Sequence, residues 1–220
     1  MKKGNRKLLC AALVLLGAFV AWTLLVRFVD VEAIGPQGSS VGFAALNQFV
    51  HGATGVNMTL YVITDWLGLV PIFTALSFAV IGLCQWISRR SILRVDHSIL
   101  ALGVFYLAVM AAYVFFEYVV VNYRPVLIEG VLEASYPSST TLLTLCVMPT
   151  AAIQLRERIK KSAFRLALDL VIWGFTAFML AARLISGVHW VTDIVGGILL
   201  GAGLVMAYAY AFFLVNSSKL

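Results

Sequence analysis

The run Arg183-Leu-Ile-Ser-Gly-Val-His189-Trp-Val-Thr-Asp193 places an arginine, a histidine and an aspartate close together in the chain. His189 and Asp193 are four apart, so on a helix they share a face and the carboxylate can orient one imidazole nitrogen. The other nitrogen is then free as a nucleophile or base. Arg183, six residues earlier, supplies a planar fork of donors for an anionic oxygen. A lone histidine at a helix start is more often a cap or a core residue; the three residues together point to chemistry on an oxyanion.

A second cluster runs from Asn122-Tyr-Arg124-Pro125 through a short loop to Ser135-Tyr-Pro137-Ser138-Ser139-Thr140-Thr141. Pro125 predicts the end of a helix with Arg124 held at the boundary. Pro137 followed by Ser138, Ser139 and Thr140 predicts a helix start with hydroxyls and unpaired N–H groups. Such a terminus binds phosphate through its amides and dipole. Simple capping would give the same pattern without a ligand. It would not explain two arginines and a His–Asp pair on the same side of the chain's hydrophobic segments.

Those segments dominate the composition. Hydrophobic residues make up 62% of the 220 residues and charged residues 12%, about half the charged share of an ordinary soluble domain. Lipid must solvate much of that surface. Six apolar stretches, near 8–28, 66–88, 99–121, 138–155, 166–186 and 191–215, are long enough to span a bilayer as helices. Continuous apolarity without period-2 alternation argues for helices over a lipid-facing barrel. The expected fold is all-α, a polytopic six-transmembrane-helix bundle forming one domain over 1–220. The first stretch reads as a retained anchor, since its apolar run is too long for a signal peptide and lacks a clear cleavage site.

Charge orients this bundle. Lys2, Lys3, Arg6 and Lys7, then Arg89, Arg90 and Arg94, then Arg156, Arg158, Lys160, Lys161 and Arg165, and finally Lys219 all fall on one side when six helices are threaded. That side is expected to be cytoplasmic. The net charge of +6 is thereby topological, and the basic residues are too scattered for a nucleic-acid footprint. Arg27, Arg124 and Arg183 fall on the other side. Arg27 reads as a snorkelling anchor. Arg124 and Arg183 are functional candidates, because ionisable groups at membrane depth are costly unless paired. A structural pair of Arg124 with Glu117, Glu129 or Glu133 is the plain alternative.

Weaker signals fill in the rest. Residues 30–57 form an outer connection in which 41–50 can lie along the interface as a short helix. Gly196, Gly197, Gly201 and Gly203 suit close helix packing. Trp66, Trp173 and Trp190 read as interfacial anchors. Asp96 and His97 read as solvated loop residues. Cys10, Cys84 and Cys146 read as small buried hydrophobes, and no cysteine has metal-ligand spacing.

The order Arg-Pro, then Pro-Ser, then Arg-x5-His-x3-Asp resembles the type-2 phosphatidic acid phosphatase superfamily, which includes the vanadium haloperoxidases. The resemblance covers three motifs between residues 117 and 193, and the six-span layout matches the membrane branch. It implies that His189 is the phosphorus nucleophile and Asp193 its orienting partner. Arg124 and Arg183 would clamp the phosphoryl oxygens, helped by Ser138 and the neighbouring Ser139 and Thr140. The chain departs from the family at Ala182, where serine is usual, at Glu117, where a phosphate-binding lysine is usual, and at Ser139-Thr140, where the family has Gly-His. That missing histidine is the family's acid on the leaving group.

A positioned acid is typically worth about 10²–10⁴-fold. A phosphate leaving group needs it less than an alkoxide does, so Thr140 in the acid's place predicts a preference for diphosphate lipids, such as a polyprenyl diphosphate, over monoesters. Glu117 has two readings: a protonated substitute for the acid, or a salt-bridge partner of Arg124 or Arg183, which the two cations favour. His51 is a further conceivable donor outside any motif. The expected function is hydrolysis of a lipid phosphate or diphosphate at the outer face of a bacterial plasma membrane, with the termini cytoplasmic. No cofactor or metal is implied, because arginines and helix-terminal amides can supply the electrophilic stabilisation. The expected partners are the lipid substrate and the bilayer. The alternative is a catalytically silent member that binds anionic headgroups or a membrane partner. A small transporter fits less well, since its charges would sit near the midplane.

Overall fold

The computed structural model describes residues 3–217; Lys2 and Lys219, counted above among the orienting residues, lie outside the described residues. The chain forms α1 (Lys3–Phe28), α2 (Ala44–Thr54), α3 (Met58–Leu67), α4 (Leu69–Arg89), α5 (His97–Tyr118), α6 (Ser139–Arg158), α7 (Ser162–Ile185) and α8 (Val191–Ser217). Among the described residues, five stretches are long and apolar enough to cross a membrane: Arg6–Phe28, Met58–Arg89, His97–Tyr118, Ser162–Ile185 and Val191–Val215. Helices answer the physical demand, because each satisfies its backbone polar groups internally.

The expected span at 138–155 is α6, and it differs from the rest. It is 20 residues long but carries Thr141, Thr144, Thr150 and Gln154 in fully buried positions, packed against α4, α5, α7 and α8. Neighbouring helices, not lipid, supply its surroundings. Its length and composition therefore do not by themselves mark it as a crossing helix.

Two other expectations are corrected. The second stretch begins before residue 66, because α3 and α4 run on from Met58 with only a local break at Gly68, whose N–H reaches the carbonyls of Thr64 and Asp65 at 3.0 Å each. The third stops at Tyr118, not at 121, and Pro125 is not what ends it. Instead the backbone leaves the helix at Val119 and residues 120–138 fold back on themselves. Tyr123 bridges Ala134 and Ile128 bridges Val131, around a two-residue turn in which Glu129 (φ 51°) and Gly130 (φ 80°) are both left-handed. That is the twist-matched geometry of a tight hairpin.

The helix at 44–54 agrees in kind with the interfacial segment expected over 41–50, shifted three to four residues along. Helix α8 packs against α1, α2, α5, α6 and α7. Its glycines allow this: a Cβ on Gly201 would stand 2.9 Å from the Leu145 Cβ, and one on Gly203 2.9 Å from Leu16. Cys146 is buried as expected, whereas Cys10 and Cys84 lie exposed on the outer faces of α1 and α4. Those faces meet lipid, where a thiol is tolerated as a small hydrophobe. At the opposite end from the site, Asp96 is no free loop residue. It stands at the N-cap position of α5 with its side chain turned elsewhere, accepting from Gln85 (2.9 Å) and Arg89 (2.9 Å), and Arg89 holds its carboxyl below the usual range.

Candidate active site

Three backbone features converge on one place: the hairpin between α5 and α6, the first turn of α6, and the tight turn between α7 and α8. The hairpin ladder runs Asn122–Ser135 and Arg124–Glu133, with the Ser135 N–H on the Asn122 carbonyl (2.9 Å) and the Arg124 N–H on the Glu133 carbonyl (3.0 Å). It therefore carries Arg124 and Ser135 on alternate rungs, either side of the Tyr123–Ala134 pair. The α7–α8 turn is fixed by Gly187 (φ 68°), and a Cβ there would lie 1.9 Å from the Gly55 carbonyl oxygen. The Asn57 N–H reaches the Ser186 carbonyl (2.9 Å), and His51 Nε2 lies 3.1 Å from the Gly187 carbonyl, to which it must donate. His51 thus braces the turn and is not a donor toward the site.

His189 sits on that turn, just before α8, and Asp193 is in the helix's first turn. The pair does not share a helical face as expected. Asp193 Oδ2 reaches back to the Trp190 N–H at 3.0 Å, an N3 carboxylate capping the start of its own helix. It stands 3.9 Å from His189 Nδ1, too far for a hydrogen bond. Ser135 Oγ lies between them, 2.9 Å from Nδ1 and 2.5 Å from Oδ2. Asn122 Nδ2 donates to Oδ1 at 3.1 Å. On the far edge of the ring, Arg124 Nη1 is 3.2 Å from Nε2.

Both arginines are buried, Arg124 at 8% and Arg183 at 1% exposure, and each has a carboxylate. The Arg124 Nε pairs with Glu133 Oε2 at 2.9 Å, so of the three expected acids Glu133 is the partner. Arg183 is held from α3: its Nη1 donates to Thr64 Oγ1 (3.2 Å) and lies 3.9 Å from Asp65 Oδ1, with the guanidinium 5.0 Å from the Tyr61 ring centre. Glu117 is therefore not the salt-bridge partner of either arginine. It lines a small cavity with Tyr113, Ser135, Ser139 and His189. Burial first, and then Arg124 and Arg183, hold the His189 imidazole well below its ordinary pKa. It is neutral at pH 7.

Donors also remain unclaimed. The buried Ser138 Oγ and Arg183 Nε have no hydrogen-bond partner, and Ser139, Thr140 and Thr141 open α6 with N–H groups that have no intrahelical acceptor. Ser138 is seated by its own N–H on the Asp193 carbonyl (3.1 Å), and Gly197 makes room: a Cβ there would lie 3.2 Å from the Ser138 carbonyl oxygen. A neutral imidazole beside unpaired cationic and amide donors suits nucleophilic attack on a tetrahedral oxyanion. Among the described residues, no three His, Cys, Asp or Glu side chains gather into a group that could hold a metal.

Sequence reading names His189, Asp193, Arg124, Arg183, Ser138, Ser139 and Glu117, and the fold brings these to one end of the bundle. Thr140 opens α6 beside them but does not line the cavity around His189. Reading placed Asn122 and Ser135 in the second cluster but gave them no role, and missed Thr64; all three act through pairings between distant segments. Trp190 is corrected: it is 4% exposed, with its indole N–H on the Tyr123 carbonyl (2.8 Å), and ties the turn to the hairpin instead of anchoring an interface. Arg27 does more than snorkel, since its Nη1 donates to the Val120 carbonyl at 3.0 Å.

Comparison with known proteins speaks to the family and the fold. No curated protein matches the sequence. Among solved structures, the chain is similar to a transmembrane PAP2-type phosphatidylglycerolphosphate phosphatase from Bacillus subtilis, with a TM-score of 0.58 and 20% identity, covering 94% of this chain and 95% of that one. At that identity the likeness speaks for the fold. Together with the five apolar helices it makes this an integral membrane protein. The sequence profile of the PAP2 superfamily matches residues 72–217, which span α5 to α8 and every motif residue described above, and the chain belongs to that superfamily.

Proposed function

We propose that the protein is a membrane lipid phosphatase that works through a phosphohistidine on His189. One observation carries this reading: the His189 ring has its Nδ1 edge tied down and its Nε2 edge turned toward Arg124. Nε2 attacks phosphorus, the N–P bond forms, and the P–O bond to the leaving group breaks with its electron pair. Arg124, Arg183, Ser138 and the first amides of α6, at Ser139 and Thr140, receive the phosphoryl oxygens. Water then attacks phosphorus, the P–N bond breaks, and inorganic phosphate leaves. Family membership and the phosphatase neighbour support the reaction class. The side of action is argued from charge: six threaded helices with cytoplasmic termini put this end of the bundle at the outer face of a bacterial plasma membrane.

Thr140, where the superfamily's acid stands, favours a diphosphate lipid of the polyprenyl type, because its leaving group departs without strong proton assistance. Glu117, on the wall of the His189 cavity, is the group placed to donate to a monoester. The same two departures support the second reading, a silent member that holds anionic headgroups. Phosphate release from a panel of lipid monophosphates and diphosphates decides among these. The expected result is turnover favouring diphosphates, lost by at least about 10³-fold in His189→Ala, with Glu117→Gln lowering only the monoester rate. Equal release by wild type and His189→Ala would leave the silent binder; a clear monoester preference would remove the leaving-group argument.

A further inference from the structure

We propose that Ser135 is the positioning residue that couples Asp193 to His189, a hydroxyl relay in place of direct contact between carboxylate and imidazole. The inference rests on the phosphohistidine reading and deepens it. Its basis is a proton count. Ser135 has one hydroxyl proton, and the 2.5 Å contact gives it to Asp193 Oδ2, a carboxylate that can only accept. Toward His189 Nδ1, 2.9 Å away, Ser135 must then accept, so Nδ1 carries the ring proton. The opposite edge agrees independently, because Arg124 can only donate and faces Nε2 at 3.2 Å. Both edges fix one tautomer, with the lone pair on Nε2.

Asp193 has little freedom to do this directly. Its Oδ2 is held by the Trp190 N–H and its Oδ1 by Asn122, while Nδ1 stays 3.9 Å off. Swinging to the ring would give up the cap on α8. Ser135 is equally fixed: it is 3% exposed and sits on the hairpin ladder by its N–H to Asn122. When Nε2 bonds phosphorus the ring becomes cationic. The Nδ1–H then donates more strongly to Ser135 Oγ, whose own proton stays on the Asp193 side, and no proton moves. Hydrolysis of the P–N bond returns the electron pair to Nε2.

The test uses the purified full chain and its best lipid substrate, with Ser135→Ala, Ser135→Thr, Asp193→Asn, the Ser135→Ala/Asp193→Asn double variant and His189→Ala. Ser135→Ala should lower kcat roughly 10- to 100-fold with KM unchanged, and Ser135→Thr should restore most of it. Because the two groups act in series, the double variant should be no slower than Asp193→Asn alone. NMR of the imidazole should show the Nδ1–H tautomer in the wild type, Ser135→Thr and Ser135→Ala alike, since Arg124 also fixes it. The Nδ1–H proton should lie far downfield in the wild type and in Ser135→Thr and shift upfield in Ser135→Ala, where its acceptor is gone. Activity surviving in His189→Ala would overturn the nucleophile reading itself. With His189→Ala inactive, a wild-type kcat in Ser135→Ala, or losses that multiply in the double variant, would overturn the relay alone. If no variant turns over lipid, an unchanged Nδ1–H proton shift in Ser135→Ala overturns it on the NMR evidence.

Discussion

An imidazole shut away from water, with one guanidinium against it and a second cation in the same site, resists protonation, and that fixes how this site responds to acid. His189 is 3% exposed, and its pKa is lowered by burial, then by Arg124 and Arg183. In the unfolded chain the same ring titrates near about 6.5. The folded pKa is the lower one, so the stability tied to His189 is fully present above about 6.5 and is lost as the pH falls below it. The ring itself, the nucleophile in the proposed mechanism, stays unprotonated until the pH falls to its own, lower pKa. Following the His189 resonances by NMR should give a midpoint clearly below the ordinary histidine value, and Arg124→Met should move it up. A wild-type midpoint at or above about 6.5 would contradict the burial argument.

At the scale of elements, the site depends on how the α7–α8 turn nests on the link between α2 and α3. Gly187 pays for a left-handed φ there, and its α-carbon faces the Gly55 carbonyl with no room for a methyl group. Gly130 in the hairpin has a similar φ of 80° but open space around it. Alanine at either position meets about 1–3 kcal/mol of backbone strain. Only Gly187→Ala adds a clash that displaces His189. Thermal unfolding in detergent should therefore fall for both variants, further for Gly187→Ala, while phosphate release collapses for Gly187→Ala and survives in Gly130→Ala. Equal activity in the two would show that the nesting is not what sets the site.

At the scale of the whole molecule, the prediction concerns sides. The hairpin tip carries Val131, exposed at 59%, and the opposite end carries Lys160 between α6 and α7. With Cys10 and Cys84 replaced by alanine, a membrane-impermeant maleimide applied to intact cells should label Val131→Cys at once and Lys160→Cys only after lysis. The reverse pattern would invert the threading, and labelling of both from outside would break the six-span reading. Either result would bear most directly on α6, the polar, packed helix on which the count of six turns.

Much of this was legible in the residues. The scarcity of charge required lipid, because so apolar a chain has no other way to hide its surface. The spacing Arg183–His189–Asp193 and the Pro-Ser start of α6 marked the candidate site, because their chemistry is local and their separations are short. The hairpin was not legible: Pro125 suggested a helix end, whereas pairing between Asn122 and Ser135 is a long-range choice that single-residue propensities do not encode. Nor was the partner of each arginine. Glu117 and Glu133 are equally acidic in sequence, and only the fold put one on the rung beside Arg124 and left the other on the cavity wall. Ser135 illustrates the division. Its type permits a hydroxyl relay, but a relay needs two partners at hydrogen-bond distance, and they come from segments more than fifty residues away, so only tertiary structure could supply them.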